Sequence, residues 1–153
     1  MRTMTEKHDL DEEIIKLLQE DSRQSYRDIA KKLDISHVSV SSKVKALEED
    51  GIIKGYTAIT DPDKQNFYPL CLRIAAGNGS DLSKIGREIA EYPEVNVVMR
   101  VSGDCEILAL AMCKSRETAL KLLDEINGIK GIGKVESHIV LEAVKLGGVN
   151  LKP

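Results

Sequence analysis

Aromatic residues are almost missing from this chain, which has one Phe, four Tyr and no Trp among 153 residues. A stacked-aromatic platform for single-stranded nucleic acid is therefore excluded, and any core must be built from Ile, Leu, Val and Ala. Long apolar runs are missing too. No stretch reaches the ~18 apolar residues needed to cross a bilayer, and the opening MRTMTEKHDLDEE has no signal-peptide core, so a cytoplasmic location without membrane attachment is expected. Cysteine is scarce. Cys71, Cys105 and Cys113 sit in apolar stretches with neither CxxC spacing nor a neighbouring His, and read as buried thiols. His8, His37 and His138 are too scattered for a metal cluster, and no Ser-His-Asp or Cys-His arrangement stands out. No metal, no resident cofactor and no enzymatic activity are expected.

What remains is a globular composition, 42% hydrophobic and 31% charged, large enough for one ordinary domain or two small ones. Its periodicity changes along the chain. Residues 9 to 50 repeat apolar positions at helical spacing in three runs. Leu10, Ile14, Leu17 and Leu18 form the first face, with Asp9 and Glu12 as a capping-box-like start. Ser25 and Asp28 box the second run, which buries Ile29, Ala30 and Leu33. Ser36 caps the third, where Val40, Val44 and Leu47 recur until Gly51 ends it. IIKGYTAIT, residues 52 to 60, alternates and is β-branched, which predicts a short strand or wing. The turn-forming DPDKQNFYP at 61 to 69 predicts a linker.

Beyond the linker, strands and helices alternate: LCLRIAA, SDLSKIGREIAEY, VNVVMRVS, a Gly103-Asp104 turn, CEILALAMC, SRETALKLLDEIN and KVESHIVLEAV. This is βαββαβ, a ferredoxin-like α/β sandwich. The predicted architecture is thus α+β in two domains, a winged helix-turn-helix at 1–60 and a sandwich at 70–153. Leu108, Leu110 and Met112 alternate with Ile107, Ala109 and Ala111, so one apolar set covers the helices and the other lacks an internal partner. Such a face is expected to meet another sheet, and a homodimer built on the second domain follows.

The sharp Leu33 to Ser36 turn, with Ala30 at a tight contact and a third helix apolar on one side, fits a helix that reads double-stranded DNA. The chain carries 25 acidic and 22 basic residues, net −3. Yet residues 22 to 45 hold six bases against two acids, a local +4, while residues 6 to 21 hold seven acids against two bases. With a screening length of ~8 Å at physiological salt, the nearby surface decides. Candidate DNA contacts on the third helix are His37, Val38, Ser39, Ser41 and Ser42, with Lys43 and Lys45 for phosphates. Ser25, Tyr26 and Arg27 at the start of the second helix are candidate phosphate ligands. The third helix has no Arg, Asn or Gln. Bidentate base readout is absent, Val38 is suited to a thymine methyl, and modest discrimination aided by DNA shape is expected.

GIKGIGKV at 128 to 135 approaches the phosphate-loop pattern, but Val135 stands where Ser or Thr is required. The run also follows a helix and leads into a strand, the reverse of the phosphate-loop context. Its glycines read as a helix cap and a turn.

The ordered motifs LDEEIIKLLQEDSRQSYRDIAKKLDISHVSVSSKVKALEEDGIIKGYTA, VMRVSGDCEILALA and GIGKVESHIVLEAVK together resemble the Lrp/AsnC, or feast/famine, family of transcriptional regulators across nearly the whole chain. The resemblance implies an N-terminal helix-turn-helix and a C-terminal ligand-sensing βαββαβ domain. It also implies dimers, often as tetramers of dimers (octamers), on a pseudo-palindromic operator. It further implies an amino-acid effector between dimers near Ser102, Gly103 and Asp104. Glu106 and Ile107 stand where the family commonly has Asp and an aromatic, and Lys43 where Arg is usual. An amino acid needs acceptors for its ammonium, for which Asp104 and Glu106 are candidates. It needs donors for its carboxylate, for which Ser102, Ser137 and the backbone around Gly103, Gly131 and Gly133 are candidates. An alternative reading is a ligand-binding regulatory subunit that docks on a metabolic enzyme through its three helices.

Overall fold

The three helical runs close as α1 (Met4–Glu20), α2 (Tyr26–Leu33) and α3 (His37–Glu49) in a computed structural model that describes residues 4–151, with side chains from Asp9 onward. His8 lies outside the residues whose side chains are described. Because α1 already begins at Met4, Asp9 lies within the helix and does not cap it, a correction to the expected start. No Gly or Pro precedes it to stop the helix extending backwards. Leu10, Ile14, Leu18, Ile29, Ala30, Val40, Val44 and Leu47 form one buried cluster. Ile14, Ile29, Val40 and Val44 are completely buried.

The turn between α2 and α3 depends on one residue, Asp34, held in the left-handed region at φ 50° and ψ 48°. Its N–H and that of Ile35 both reach the Ala30 carbonyl and close the end of α2. An Asp tolerates this conformation better than most side chains, but Gly removes the Cβ penalty altogether. Asp34→Gly is expected to raise unfolding free energy by up to about 1 kcal/mol and Asp34→Val to lower it by about 1–2 kcal/mol, measured by urea denaturation.

After Gly51 the expected wing strand does not form. Residues 52–60 are extended or bent and pair with no strand among the described residues. A β-branched alternation specifies a strand only where a neighbouring edge supplies a ladder, and this segment has none among the described residues. Ile53 packs on the helical cluster, and Tyr56 donates to Glu48 Oε1 at 2.8 Å. Burial, followed by that carboxylate, pushes the Tyr56 hydroxyl up to about 12.

The second unit follows the order β1 (Tyr68–Ala76), α4 (Leu82–Ala90), β2 (Val95–Arg100), β3 (Ile107–Cys113), α5 (Arg116–Asn127) and β4 (Ile132–Ile139). All its strand pairs are antiparallel, in the spatial order β2-β3-β1-β4. This is the ferredoxin-like arrangement that the alternation predicts. Strand β1 starts at Tyr68, inside the expected linker, because Tyr68 pairs with Cys113 and Pro69 with Met112. The β2-β3 connection is a six-residue loop, 101–106, closed by Val101 N–H on the Glu106 carbonyl, and not a two-residue turn. Gly128 caps α5 and Gly131 turns at φ 98° into β4, so the phosphate-loop-like run is a cap and a turn.

Leu70, Leu72 and Ile74 of β1 and Ile107, Ala109, Ala111 and Cys113 of β3 are buried with Ile85, Ile89, Leu122 and Ile126 of the helices. The opposite set on β3, Leu108, Leu110 and Met112, is only half-buried. Register places Cys71 beside Leu110, Val97 beyond it, and Met99 beside Leu108 on that open face. Of the cysteines, Cys113 alone is fully buried, while Cys71 and Cys105 are half-exposed, which corrects the expectation of three buried thiols.

A short hairpin, β5 (Lys145–Leu146) and β6 (Val149–Asn150), follows β4. Its central pair Gly147-Gly148 has φ values of 51° and 88°, the double positive turn that matches strand twist. The chain divides into two compact units, Thr60–Ala143 and the remainder, so residues from Val144 group with the N-terminal helices. The sequence reading assigned them to the sandwich at 70–153. Gly147 abuts Ile59, where a Cβ would come within 2.6 Å of Ile59 Cδ1.

Candidate functional site

Successive helical residues turn by ~100°, so in α3 the seam of Val40, Val44 and Leu47 puts Val38, Ser42, Lys45 and Glu49 on the opposite side. Val38 is 63% exposed, and Ser41 and Ser42 are exposed beside it. Ser36 caps the helix by accepting from Ser39 N–H at 3.0 Å, and its hydroxyl also meets the Ser39 hydroxyl at 2.8 Å. Ser39 is thus engaged within the cap. Lys43 departs further from expectation. It sits only ~70° from the buried seam, which turns its ammonium onto Asp11 of α1 in a half-buried ion pair. Its role is to clamp α1 to α3, and the phosphate contact assigned to it is not what this geometry offers. Lys45 is exposed and lies 3.6 Å from Glu49.

At the start of α2, the Ser25 hydroxyl accepts from Asp28 N–H at 3.2 Å and donates to Asp28 Oδ2 at 2.6 Å. That hydroxyl bond holds the Asp28 carboxyl below its usual range. The Ser25 proton is therefore already used, and an ionised Asp28 beside it opposes a phosphate. Tyr26 and Arg27 are exposed next to it. Arg27, Lys31 and His37 line a cleft of about 410 Å³ together with Ala30, Asp34, Ile35 and Ser36. With Arg23 and Lys32 also exposed, the α2 side is cationic, whereas Asp9, Glu13, Glu20 and Asp21 are exposed on or just after α1.

The effector candidates gather at one end of the sheet only in part. Ser102, Gly103 and Asp104 are exposed in the β2-β3 loop, and Gly131 and Gly133 flank the start of β4 at the same end of β1. Ser137 is opposite Leu72, two paired positions beyond the Ile74 and Val135 pair, and is set apart from the loop. The two candidate acceptors already have partners. Asp104 Oδ2 accepts from Arg73 Nη2 at 2.7 Å, and Glu106 Oε2 accepts from Ala76 N–H at 3.0 Å, where a bulge interrupts the β1-β4 register. Arg73 also donates to Glu136 Oε2 at 3.2 Å, and Lys134 to Glu136 Oε1 at 2.6 Å.

Sequence reasoning passed over Arg73, Lys134 and Glu136. The signal was available, since Arg73 is the one charge in an otherwise apolar strand. Arg73 holds the Asp104 carboxyl well below the usual range, and Lys134 does the same for Glu136. Depressed carboxylates stabilise above the unfolded pKa of about 4, and that contribution is lost as pH falls through their lower folded values. Loop 101–106 is therefore expected to keep its hydrogen-exchange protection from pH 8 to 5 and to lose it below about pH 4.

Among the described residues no helix is long and apolar enough to cross a membrane, and no cluster of His, Cys, Asp and Glu could hold a metal ion. The helical unit matches the family model for winged helix-turn-helix DNA-binding over residues 7–54. Residues 70–149, which take in the sheet unit from Leu70 and most of the hairpin after it, match the Lrp/AsnC ligand binding domain. These two parts define a transcriptional regulator, with a DNA-binding helix-turn-helix and a ligand-binding domain, and not an enzyme. The chain belongs to the Lrp/AsnC family.

It is 34% identical over 137 residues to an HTH-type transcriptional regulator of Pyrococcus furiosus, covering 90% of this chain and 93% of that one. It is 33% identical over 136 residues to the regulator LrpA of Pyrococcus horikoshii, covering 88% and 96%. An AsnC family transcriptional regulator from Agrobacterium tumefaciens has the same fold, with a TM-score of 0.75 at 27% identity and 94% of both chains covered. The reading as an enzyme-docking subunit has no support among these relatives.

Proposed function

We propose that this regulator reads a pseudo-palindromic double-stranded operator as a homodimer, and that dimers assemble further, as a tetramer of dimers, in response to an amino-acid effector. The observation that carries the DNA reading is the outward side of α3, where Val38, Ser41 and Ser42 are exposed beside the cationic residues of α2. Two copies related by a two-fold axis would present two such helices to half-sites about 10 to 10.5 bp apart, or a multiple of that. The half-buried face of Val97, Leu108, Leu110 and Met112 supplies the sheet-to-sheet contact that pairs them.

The effector part rests on the loop 101–106 and on the family's ligand-binding domain. Since Asp104 and Glu106 already accept hydrogen bonds, an incoming ammonium must share them with Arg73 and the Ala76 N–H, or displace those donors. Effector binding and loop position are thereby linked.

Selection from a random double-stranded DNA pool tests the first part. A defined site should emerge, and a variant carrying Arg27→Ala with Ser42→Asp should bind it at least ~30-fold more weakly, with unchanged assembly mass. Equal affinity for the variant would refute the assignment of this face. A thermal-shift screen of the twenty amino acids tests the second, because a ligand that binds only the folded state raises its melting temperature. Amino acids at millimolar concentration that alter neither melting, assembly mass nor DNA affinity would remove the effector from the proposal.

A further inference from the structure

From the way the side chains of α3 are engaged, we infer that Val38 reads the C5-methyl group of a thymine in each half-site, so that an A·T pair is selected there through an apolar contact. This rests on the DNA-reading function proposed above. Within the helical unit, Val38 is the most exposed large apolar side chain among the described residues, at 63%. It stands on the first turn of α3, the end that enters a major groove in helix-turn-helix docking.

Among the polar side chains of α3, His37, Ser41 and Ser42 are exposed, while three others are engaged within the protein. Ser39 is held by Ser36, Lys43 by Asp11, and Lys45 lies beside Glu49. The helix HVSVSSKVKALEE contains no Arg, Asn or Gln to form a bidentate pair with a purine. An isopropyl group placed against guanine N7 and O6, cytosine N4 or adenine N6 would strip water from a polar edge and return no hydrogen bond. The thymine methyl is the apolar feature that an unmodified base pair displays in the major groove, so it alone rewards a valine.

Valine also suits the task mechanically. A β-branched side chain in a helix is nearly confined to one χ1 rotamer, so its methyl groups are held in place before DNA arrives. As a β-branched residue in an exposed helical position it does nothing for helix propensity that Ala would not do better. Ser42, one turn further on the same side, is placed over an adjacent base pair, where a hydroxyl accommodates either a donor or an acceptor.

The test removes one methyl group at a time. In the selected operator each thymine is replaced by deoxyuridine, which differs only in lacking that methyl. Replacing the contacted thymine in one half-site is expected to weaken binding about fourfold, and in both half-sites about fifteenfold. The same replacements in the Val38→Ala protein should change affinity by less than about 1.5-fold, circular dichroism confirming an intact fold. A C·G pair at that position should weaken binding, and 5-methylcytosine should recover part of the loss. The inference is overturned if no thymine position is sensitive in the unaltered protein, or if the Val38→Ala protein is as sensitive as the unaltered one. A chain that selects no DNA site overturns the reading function itself, and this inference with it, at a step before the methyl comparison.

Discussion

Leu110→Asp is expected to leave a monomer at micromolar concentration where the unaltered chain forms the proposed homodimer, while the secondary structure is kept. Leu110 is in the middle of β3, whose other face packs Ile107, Ala109, Ala111 and Cys113 into the core. Its own side chain points the opposite way, level with Cys71 and Val97 on the open face. In the isolated chain a carboxylate there stays in water and costs little. In a two-fold dimer the same change enters twice, so two carboxylates lose their water together and repel each other across the interface. Each buried ion costs several kcal/mol, which exceeds what a few lost apolar contacts would explain. Light scattering should report half the assembly mass, and operator affinity should fall with it because paired half-sites need paired helices. Unchanged mass would place the dimer contact on another surface.

Ile14→Ala is expected to unfold the DNA-reading unit and leave the sheet unit folded. Ile14 is completely buried at the centre of the cluster that α1 shares with α2 and α3. Deleting three carbons from such a site costs about 2–5 kcal/mol, with the upper part of the range where neighbours do not collapse into the cavity. A unit of about 70 residues buries a smaller share of its surface than a larger domain and has little stability in reserve. The loss is therefore comparable to its whole stability. Hydrogen exchange should show residues 10–47 losing protection while 70–74 and 107–113 keep theirs, and DNA binding should disappear without a change in assembly mass. A uniform small loss across both units would mean that they unfold as one.

Most of the fold could be read because the local signals agreed with the final packing. Val40, Val44 and Leu47 fixed the inward side of α3, and the alternation of Ile107 to Met112 fixed both faces of β3. The failures share a different cause. Residues 52–60 have strand chemistry, but a strand is a property of two segments, and alternation cannot say whether a neighbour exists. Lys43 was assigned to DNA from its residue type, yet its angular distance from the seam turns it toward Asp11, 32 residues earlier. Arg73 went unread because a lone charge in an apolar strand shows its purpose only when Asp104 and Glu136 arrive from elsewhere in the chain. The Gly147-Gly148 pair is a strong hairpin signal that went unused at the end of the sequence.

That hairpin changes how the two units are connected. Because residues through Ile59 and residues from Val144 belong to one unit, the sheet unit is an insert, entered at Thr60 and left at Ala143. A chimaera made with one crossover in the linker would give the new reading head the wrong C-terminal hairpin and leave its own behind. Exchanging heads between such regulators therefore needs two crossovers, one near residue 60 and one near 143. The same topology means that a new sensor can be grafted between those points only if its own ends lie close enough to rejoin the host.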